Sequence, residues 1–329
     1  MRPFTYSRPA SVDDAIGALL GESEARFLAG GTNLVDLMKM GVEQPARLVD
    51  ITRLPLSDIQ EHAGGVRIGA MVRNSDAANH PLIRERYPVL SQALLSGASP
   101  QLRNMASMGG NLMQRTRCFY FYDPSYSECN KRVPGSGCAA LTGYNRIHAI
   151  LGASERCIAT NPSDMSVALA ALDAVVQVKG PRGERTMPIL EFHRLPGETP
   201  QQDTNLRPGE LITAIDLPAL PLARQSHYLK VRDRNSYAFA LVSVAAILDV
   251  DGGGTIREAR IALGGVAHKP WRIPQAEHLL VGQKPAEKAY HAAADALLRG
   301  AKPHRNNAFK VELARRSIVR ALTTAAAAV

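Results

Sequence analysis

The chain has four cysteines, Cys118, Cys129, Cys138 and Cys157, and all of them stand in one stretch with neither a helical nor a strand period. That stretch, residues 115–160, opens RTRCFYFYDPSYSECNKRVPGSGC. It is too long for an ordinary connection, so it reads as a functional insertion. A segment without periodicity needs something other than a backbone ladder to hold it, and this constrains the fold more than any other feature. The spacings are C-x10-C, C-x8-C and C-x18-C. Three readings compete. Zinc sites favour cysteine pairs two to four residues apart, a pattern this stretch lacks. Disulfides need an oxidising compartment, and the opening MRPFTYSRPASVDD has no apolar secretory core, so no export signal is expected in this chain. An iron–sulfur cluster takes four thiolates converging from flexible loops. Pro124, Pro134, Gly135, Gly137 and Gly143 would turn the chain for that purpose. The spacing matches no common ferredoxin run and by itself leaves all three readings open.

Phe119, Tyr120, Phe121, Tyr122 and Tyr126 crowd the same stretch, in a chain that is 5% aromatic. They read either as an apolar shell that keeps water from a metal site or as a satellite core under a long loop. The rest of the chain is ordinary globular material: 45% hydrophobic and 21% charged over 329 residues, enough for two or three structural units. No run of 18 apolar residues occurs. The net charge of +9 is spread over scattered Lys and Arg with no RNA-binding signature. A basic surface facing an acidic protein, or plain solvation, accounts for it. No nucleic acid partner and no membrane span are expected.

Along the chain, Ser11 with Asp14 caps a short helix whose apolar face is Ala15, Ile16, Leu19 and Leu20. RFLAGGTNLVDLMKM, residues 26–40, reads as strand, Gly-Gly turn and helix. LVDI and VRIGAMV read as strands, and residues 81–97 as one amphipathic helix. After the insertion, SDMSVALAALDAVVQVKG is a helix then a strand, residues 191–210 a Pro- and Gly-rich loop, and LITAIDLP a strand. A boundary falls near residue 222, giving units 1–222 (lobes 1–57 and 58–222) and 223–329. The last unit shows strands YLKVRDR, FALVSVAAILDV and REARIALGGV, a turn at Asp251–Gly254, and then helices.

Two glycine turns carry chemistry. In LAGGTNL, glycines allow close backbone approach to a ligand, and amides from Gly30 to Asn33 before a helix suit a pyrophosphate. A tight strand–helix turn with no ligand is the alternative. MGGNL at 108–112 repeats the arrangement, and two such loops could grip one dinucleotide. Neither is the G-x-G-x-x-G fingerprint. In NPSDM, Asp164 reads as a carboxylate for ribityl hydroxyls or as part of a helix cap with Ser163. His148, His227 and His268 show no ligand spacing and read as structural or surface residues. Asp233, between Arg232 and Arg234, reads as a salt-bridged surface turn.

FLAGGTNLVDLMK, IGAMVRNSDAANHPLIRERYPVL, SPQLRNMASMGGNL, NPSDM, YAFALVSVAAI and LGGVAHKPWR, in that order, resemble the flavin-binding medium subunit of the molybdenum hydroxylases, the xanthine dehydrogenase and carbon monoxide dehydrogenase group. The cysteine frame, with RTRC, CNKR, PGSGCAAL and PSDM, resembles the flavin subunits of bacterial periplasmic aldehyde oxidoreductases. The resemblance implies a [4Fe-4S] cluster on Cys118, Cys129, Cys138 and Cys157. It implies noncovalent FAD held by Ala29, Gly30, Gly31, Thr32, Asn33 and Leu34, by Ser107, Gly110 and Asn111, and by Asp164, with Lys230 and Leu241 near the isoalloxazine. It implies an α+β fold: a two-lobed FAD-binding domain of the vanillyl-alcohol-oxidase type carrying the insertion, then a smaller α/β C-terminal domain of the CO dehydrogenase flavoprotein type. The implied activity is that of an oxidoreductase subunit passing electrons through FAD to an external acceptor. Its partners would be a molybdenum-cofactor large subunit and a [2Fe-2S] small subunit in a heterotrimer. No catalytic acid or base is expected here. The implied compartment is the periplasm, reached alongside a partner with a twin-arginine signal; the cytoplasm is the alternative. Rival assignments are a stand-alone FAD oxidase, a xanthine or CO dehydrogenase-type subunit, and an assembly protein with structural glycines and cysteines.

Overall fold

Among the residues described by the computed structural model, 1–21 and 24–327, three sheets organise the chain. In the first, β1 (Thr5–Ser7) and β2 (Ala25–Leu28) flank β3 (Arg47–Asp50), all parallel. The helix Val12–Leu20 begins where the Ser11 hydroxyl accepts the Asp14 amide, as the sequence reading expects. Ala15 and Ile16 face Val49, Ile51 and Leu54 in a small core, whereas Leu20 is exposed.

The second sheet is antiparallel. It comprises β4 (Ile59–His62), β5 (Gly65–Gly69), β6 (Val175–Gly180), β7 (Gly183–Pro188) and β8 (Leu211–Leu217), in the order β4-β5-β8-β6-β7. β7 is a strand that the sequence pattern did not reveal. Its alternation is weak, because most of its side chains are exposed. The helix expected over 81–97 is two helices, Pro81–Arg86 and Pro88–Ser96. Pro88 has no amide to donate and its ring disfavours helical geometry at Tyr87, which sits at φ −137° and ψ 56°.

The third sheet joins β9 (Ser226–Val231), β10 (Val242–Val250) and β11 (Ile256–Gly264), again antiparallel. The expected mixture of helix and strand is present. The Asp251 carboxylate accepts the Gly253 and Thr255 amides in the tight β10–β11 turn, so these strands form a hairpin with no crossover helix. β10 explains why VSVAAIL is apolar on both faces apart from the buried Ser243. Its Ala245 and Ile247 join the core beneath the second sheet, while Val244, Ala246 and Leu248 join the core under helices Glu287–Leu297 and Phe309–Ala326. The helix Asp164–Ala171 is buried on every side, between Pro88–Ser96 and strands β10 and β11. Its first residue, Asp164, is thereby fixed in the interior. Between Leu112 and Asp164 the only regular element is one helical turn, Phe119–Tyr122.

Candidate cofactor-binding site

The two glycine loops come from different parts of the chain and meet. Ala29–Asn33 leads from β2 into the helix Leu34–Lys39, and Ser107 caps the helix Met108–Leu112 by accepting the Gly110 amide at 3.2 Å. A Cβ on Gly30 would stand 1.8 Å from the Met105 carbonyl oxygen, so only glycine lets the first loop lie against the second. Gly31 sits at φ +73°, in the left-handed region. Among the described residues, no internal hydrogen bond engages the amides of Gly30, Gly31 or Thr32. Thr32 and Leu34 are half-buried beside them. These amides are the donors that a phosphate needs.

Asn111 ties the second loop to Asp164, because its side-chain oxygen accepts the Ser163 hydroxyl at 2.7 Å. Ser163, not Asp164, caps the helix, accepting the Ser166 amide. That frees Asp164 for another task. Its carboxylate oxygens accept the Tyr228 hydroxyl and the Lys230 ammonium, each at 2.7 Å. Lys230 also reaches the Ser96 carbonyl. Leu241, bonded through its amide to Val231, lies just beyond. The structure thus brings the twelve residues that the resemblance implies for FAD into one connected run.

The four cysteines converge as well. All are unpaired thiols lining one cavity of about 20 Å³, with Tyr120 and Phe121 in its wall. The irregular chain is folded there by its own polar groups. The Arg132 guanidinium donates to the carbonyls of Tyr120, Phe121, Asp123 and Tyr126. The Asn130 side-chain oxygen accepts the Gly135 and Gly137 amides at 3.0 Å each, turning the chain so that Cys138 faces Cys129. Burial pushes the Cys118 thiol up to about 12 and the Cys157 thiol up to about 11, and it raises Cys138 too; neighbouring thiols add to each shift. Thiols so placed ionise only when a cation takes the sulfur as a ligand. Among the described residues, no three His, Cys, Asp or Glu side chains gather closely enough for a single metal ion. Four unpaired thiols around one cavity are the donors that an iron–sulfur cluster takes, and they fit one by their donor chemistry.

Residues 2–220 match the family described as the FAD binding domain in molybdopterin dehydrogenase, and residues 227–325 match the CO dehydrogenase flavoprotein C-terminal domain. This chain belongs to the FAD-binding medium subunits of the molybdenum hydroxylases. The chain is 52% identical over 329 residues to the aldehyde oxidoreductase FAD-binding subunit PaoB of Escherichia coli K12, covering 99% of each. It is 30% identical to the carbon monoxide dehydrogenase medium chain of Hydrogenophaga pseudoflava, over 98% of this chain and 96% of that one. Among solved structures, quinoline 2-oxidoreductase from Pseudomonas putida 86 superposes with a TM-score of 0.77 at 25% identity, covering 99% of this chain and 98% of that one. This flavin subunit is therefore part of an oxidoreductase.

Other groups around the flavin subunit's two sites escaped the sequence reading. The Asn33 side chain accepts the Arg115 amide at 2.9 Å and donates to the Tyr122 hydroxyl at 3.2 Å, joining the flavin loop to the insertion. The aromatics therefore divide: Tyr120 and Phe121 wall the cavity, Tyr122 turns to the flavin loop, and Phe119 and Tyr126 are exposed. His148 is buried with its Nε2 3.1 Å from the Cys118 sulfur, and burial lowers its pKa to about 4, so the ring is neutral there. His268 is buried too. Asp233 pairs with distant Arg146, not with its neighbours. The clue for His148 would have been its place inside the insertion.

Proposed function

We propose that this chain is the electron-transfer flavoprotein subunit of a heterotrimeric molybdenum-dependent aldehyde oxidoreductase. It would stand between the molybdenum-cofactor large subunit and [2Fe-2S] small subunit on one side and an external acceptor on the other. The observation that carries this is the shared wall. Four thiols close on one cavity, and the segment that bears them hydrogen-bonds the flavin loop through Tyr122 and Asn33. Likeness over the whole length to the Escherichia coli aldehyde oxidoreductase subunit supports the aldehyde class.

When bound, FAD and a [4Fe-4S] cluster supply two-electron and one-electron redox capacity respectively. The protein's own part is placement. The amides of Gly30, Gly31 and Thr32 in the loop Ala29 to Leu34 would hold the pyrophosphate, with Ser107 to Asn111 packed against them, its Met108 to Asn111 amides already bonded within the chain. Asp164, already oriented by Lys230 and Tyr228, has acceptor capacity left for the ribityl hydroxyls. Leu241 and the Lys230 stem would border the isoalloxazine. Neither loop contains a His or Cys to form a flavin bond, so acid precipitation should release the FAD. Cys118, Cys129, Cys138 and Cys157 would ligate the cluster, with Phe121 and Tyr120 excluding water from it.

The deciding test measures iron, acid-labile sulfide and FAD on protein purified anaerobically with its partners. After the partners' clusters are subtracted, about four irons and one FAD per chain are expected. FAD without iron would reduce this to a plain flavin subunit. We also propose a periplasmic location, reached with a partner bearing a twin-arginine signal. Fractionation that recovers the complex with cytoplasmic markers would reject it.

A further inference from the structure

Lys131 is the outlying side chain of the cysteine pocket. It lines the cavity two residues after Cys129, and its side chain is 1% exposed. Burying an ammonium is costly, and an apolar residue of similar volume would usually hold a fold at least as well. The chain nevertheless spends three partners on it: the Pro200 carbonyl at 2.7 Å, Asp203 Oδ1 at 2.5 Å and His268 Nε2 at 2.7 Å. The tautomer of His268 follows. Its Nδ1 lies 2.8 Å from the Arg194 carbonyl, which can only accept, so Nδ1 carries the hydrogen and Nε2 is a bare acceptor for Lys131. All three ammonium hydrogens are placed, and the cation is locked against the cavity wall.

Asp203 carries the arrangement onward. Its second oxygen accepts the Arg115 guanidinium at 2.9 Å, and Arg115 also donates to Glu43 at 2.5 Å. The Arg115 amide is the donor to Asn33 in the flavin loop. The charges therefore alternate from the cavity outward: Lys131, Asp203, Arg115, Glu43. Of these four side chains only Lys131 lines the cysteine cavity. The other cation of the cavity wall, Arg156, is exposed and paired with Glu198, where solvent screens it.

We propose that Lys131 is a positioning residue that sets the redox poise of the four-cysteine site, with Asp203 and Arg115 linking its buried charge to the flavin loop. This rests on the cluster reading above. A fixed positive charge beside a cluster favours the reduced form, because reduction adds negative charge; net charge and hydrogen bonding around the sulfurs set such potentials. Two substitutions of opposite sign separate this role from simple support. In the intact complex, Lys131→Met should keep its iron and shift the cluster midpoint, read by EPR-monitored redox titration, to a more negative potential. Lys131→Arg should return it toward the parent value. Asp203→Asn removes the compensating anion and should shift the midpoint to a more positive potential. Iron retained with unchanged midpoints would overturn the proposal. If Lys131→Met loses its cluster, Asp203→Asn alone decides by the sign of its shift. Loss of iron from both variants with FAD retained would make the network mere scaffolding and would also overturn it. A parent complex without iron would remove the cluster reading, and this proposal with it, by a separate measurement.

Discussion

The flavin loop Ala29–Asn33 presents main-chain amides set between a strand and a helix, whereas the cysteine pocket presents side chains on a segment with a single helical turn. In the first region, regular elements do the positioning, and the residues at the contact are glycines because backbone must touch backbone. In the second, no ladder is available. Arg132 and Asn130 gather loop carbonyls and amides, and a buried ion-pair row backs the cavity. The lesson is that the two sites should fail differently. The cradle is sensitive to added volume and tolerant of changed chemistry; the pocket is the reverse. The two also touch, through Asn33, so their independence has a limit.

The largest effect expected is from Cys129→Ser. It should abolish cubane absorbance and iron content and loosen residues 115–160, while FAD stays near the parent stoichiometry. Unchanged iron and sulfide would refute the four-ligand assignment. Gly30→Ala probes the other region. A Cβ 1.8 Å from a backbone oxygen must push the loops apart, so FAD occupancy should drop by about tenfold or more while iron stays constant. Loss of both cofactors together would show the regions to be one unit. Asp164→Asn comes next. It strands the Lys230 ammonium, 3% exposed, beside the Ser96 carbonyl, and should cost about 3 kcal/mol in urea unfolding.

A pH series sharpens the contrast. Burial would raise Asp203, but Lys131, Arg115 and His268 outweigh it and hold the carboxyl at about 2, against an ordinary 3.8. A depressed carboxyl stabilises above its ordinary value, and the contribution disappears as pH falls from about 4 toward 2. Asp203→Asn should flatten that part of the stability profile by about 2 kcal/mol, measured by chemical unfolding across the range. The smallest effect should come from Tyr122→Phe, which removes the hydroxyl that accepts from Asn33 and from the Arg117 guanidinium. About 1 kcal/mol, or roughly fivefold weaker FAD retention in dialysis, is expected with iron unchanged. No change in FAD would mean that the bridge between the regions carries no energy.

Much of this was legible from residues alone. LAGGTN announces a turn by composition, the Ser11 cap and the Asp251–Gly254 turn are local chemistry, and an aperiodic stretch with every cysteine declares a site; MGGNL, expected as a second turn, is instead the short helix Met108–Leu112 that Ser107 caps. Pro88 was legible too, yet the apolar period across it read as one helix. The hairpin strand β7 was not, since its exposed residues carry little alternation.

What the sequence determined by itself is which residue types were available and where local backbone could turn: short-range sterics and capping act within a few residues. The tertiary structure decided everything that needs two distant segments. It set Met105 against Gly30, Lys230 against Asp164, His148 against Cys118, and Lys131 against Asp203 and His268. A lysine reads as surface in a sequence because solvation is its cheapest state. Only a fold that supplies a carboxylate, an imidazole nitrogen and a carbonyl from elsewhere in the chain can hold it inside.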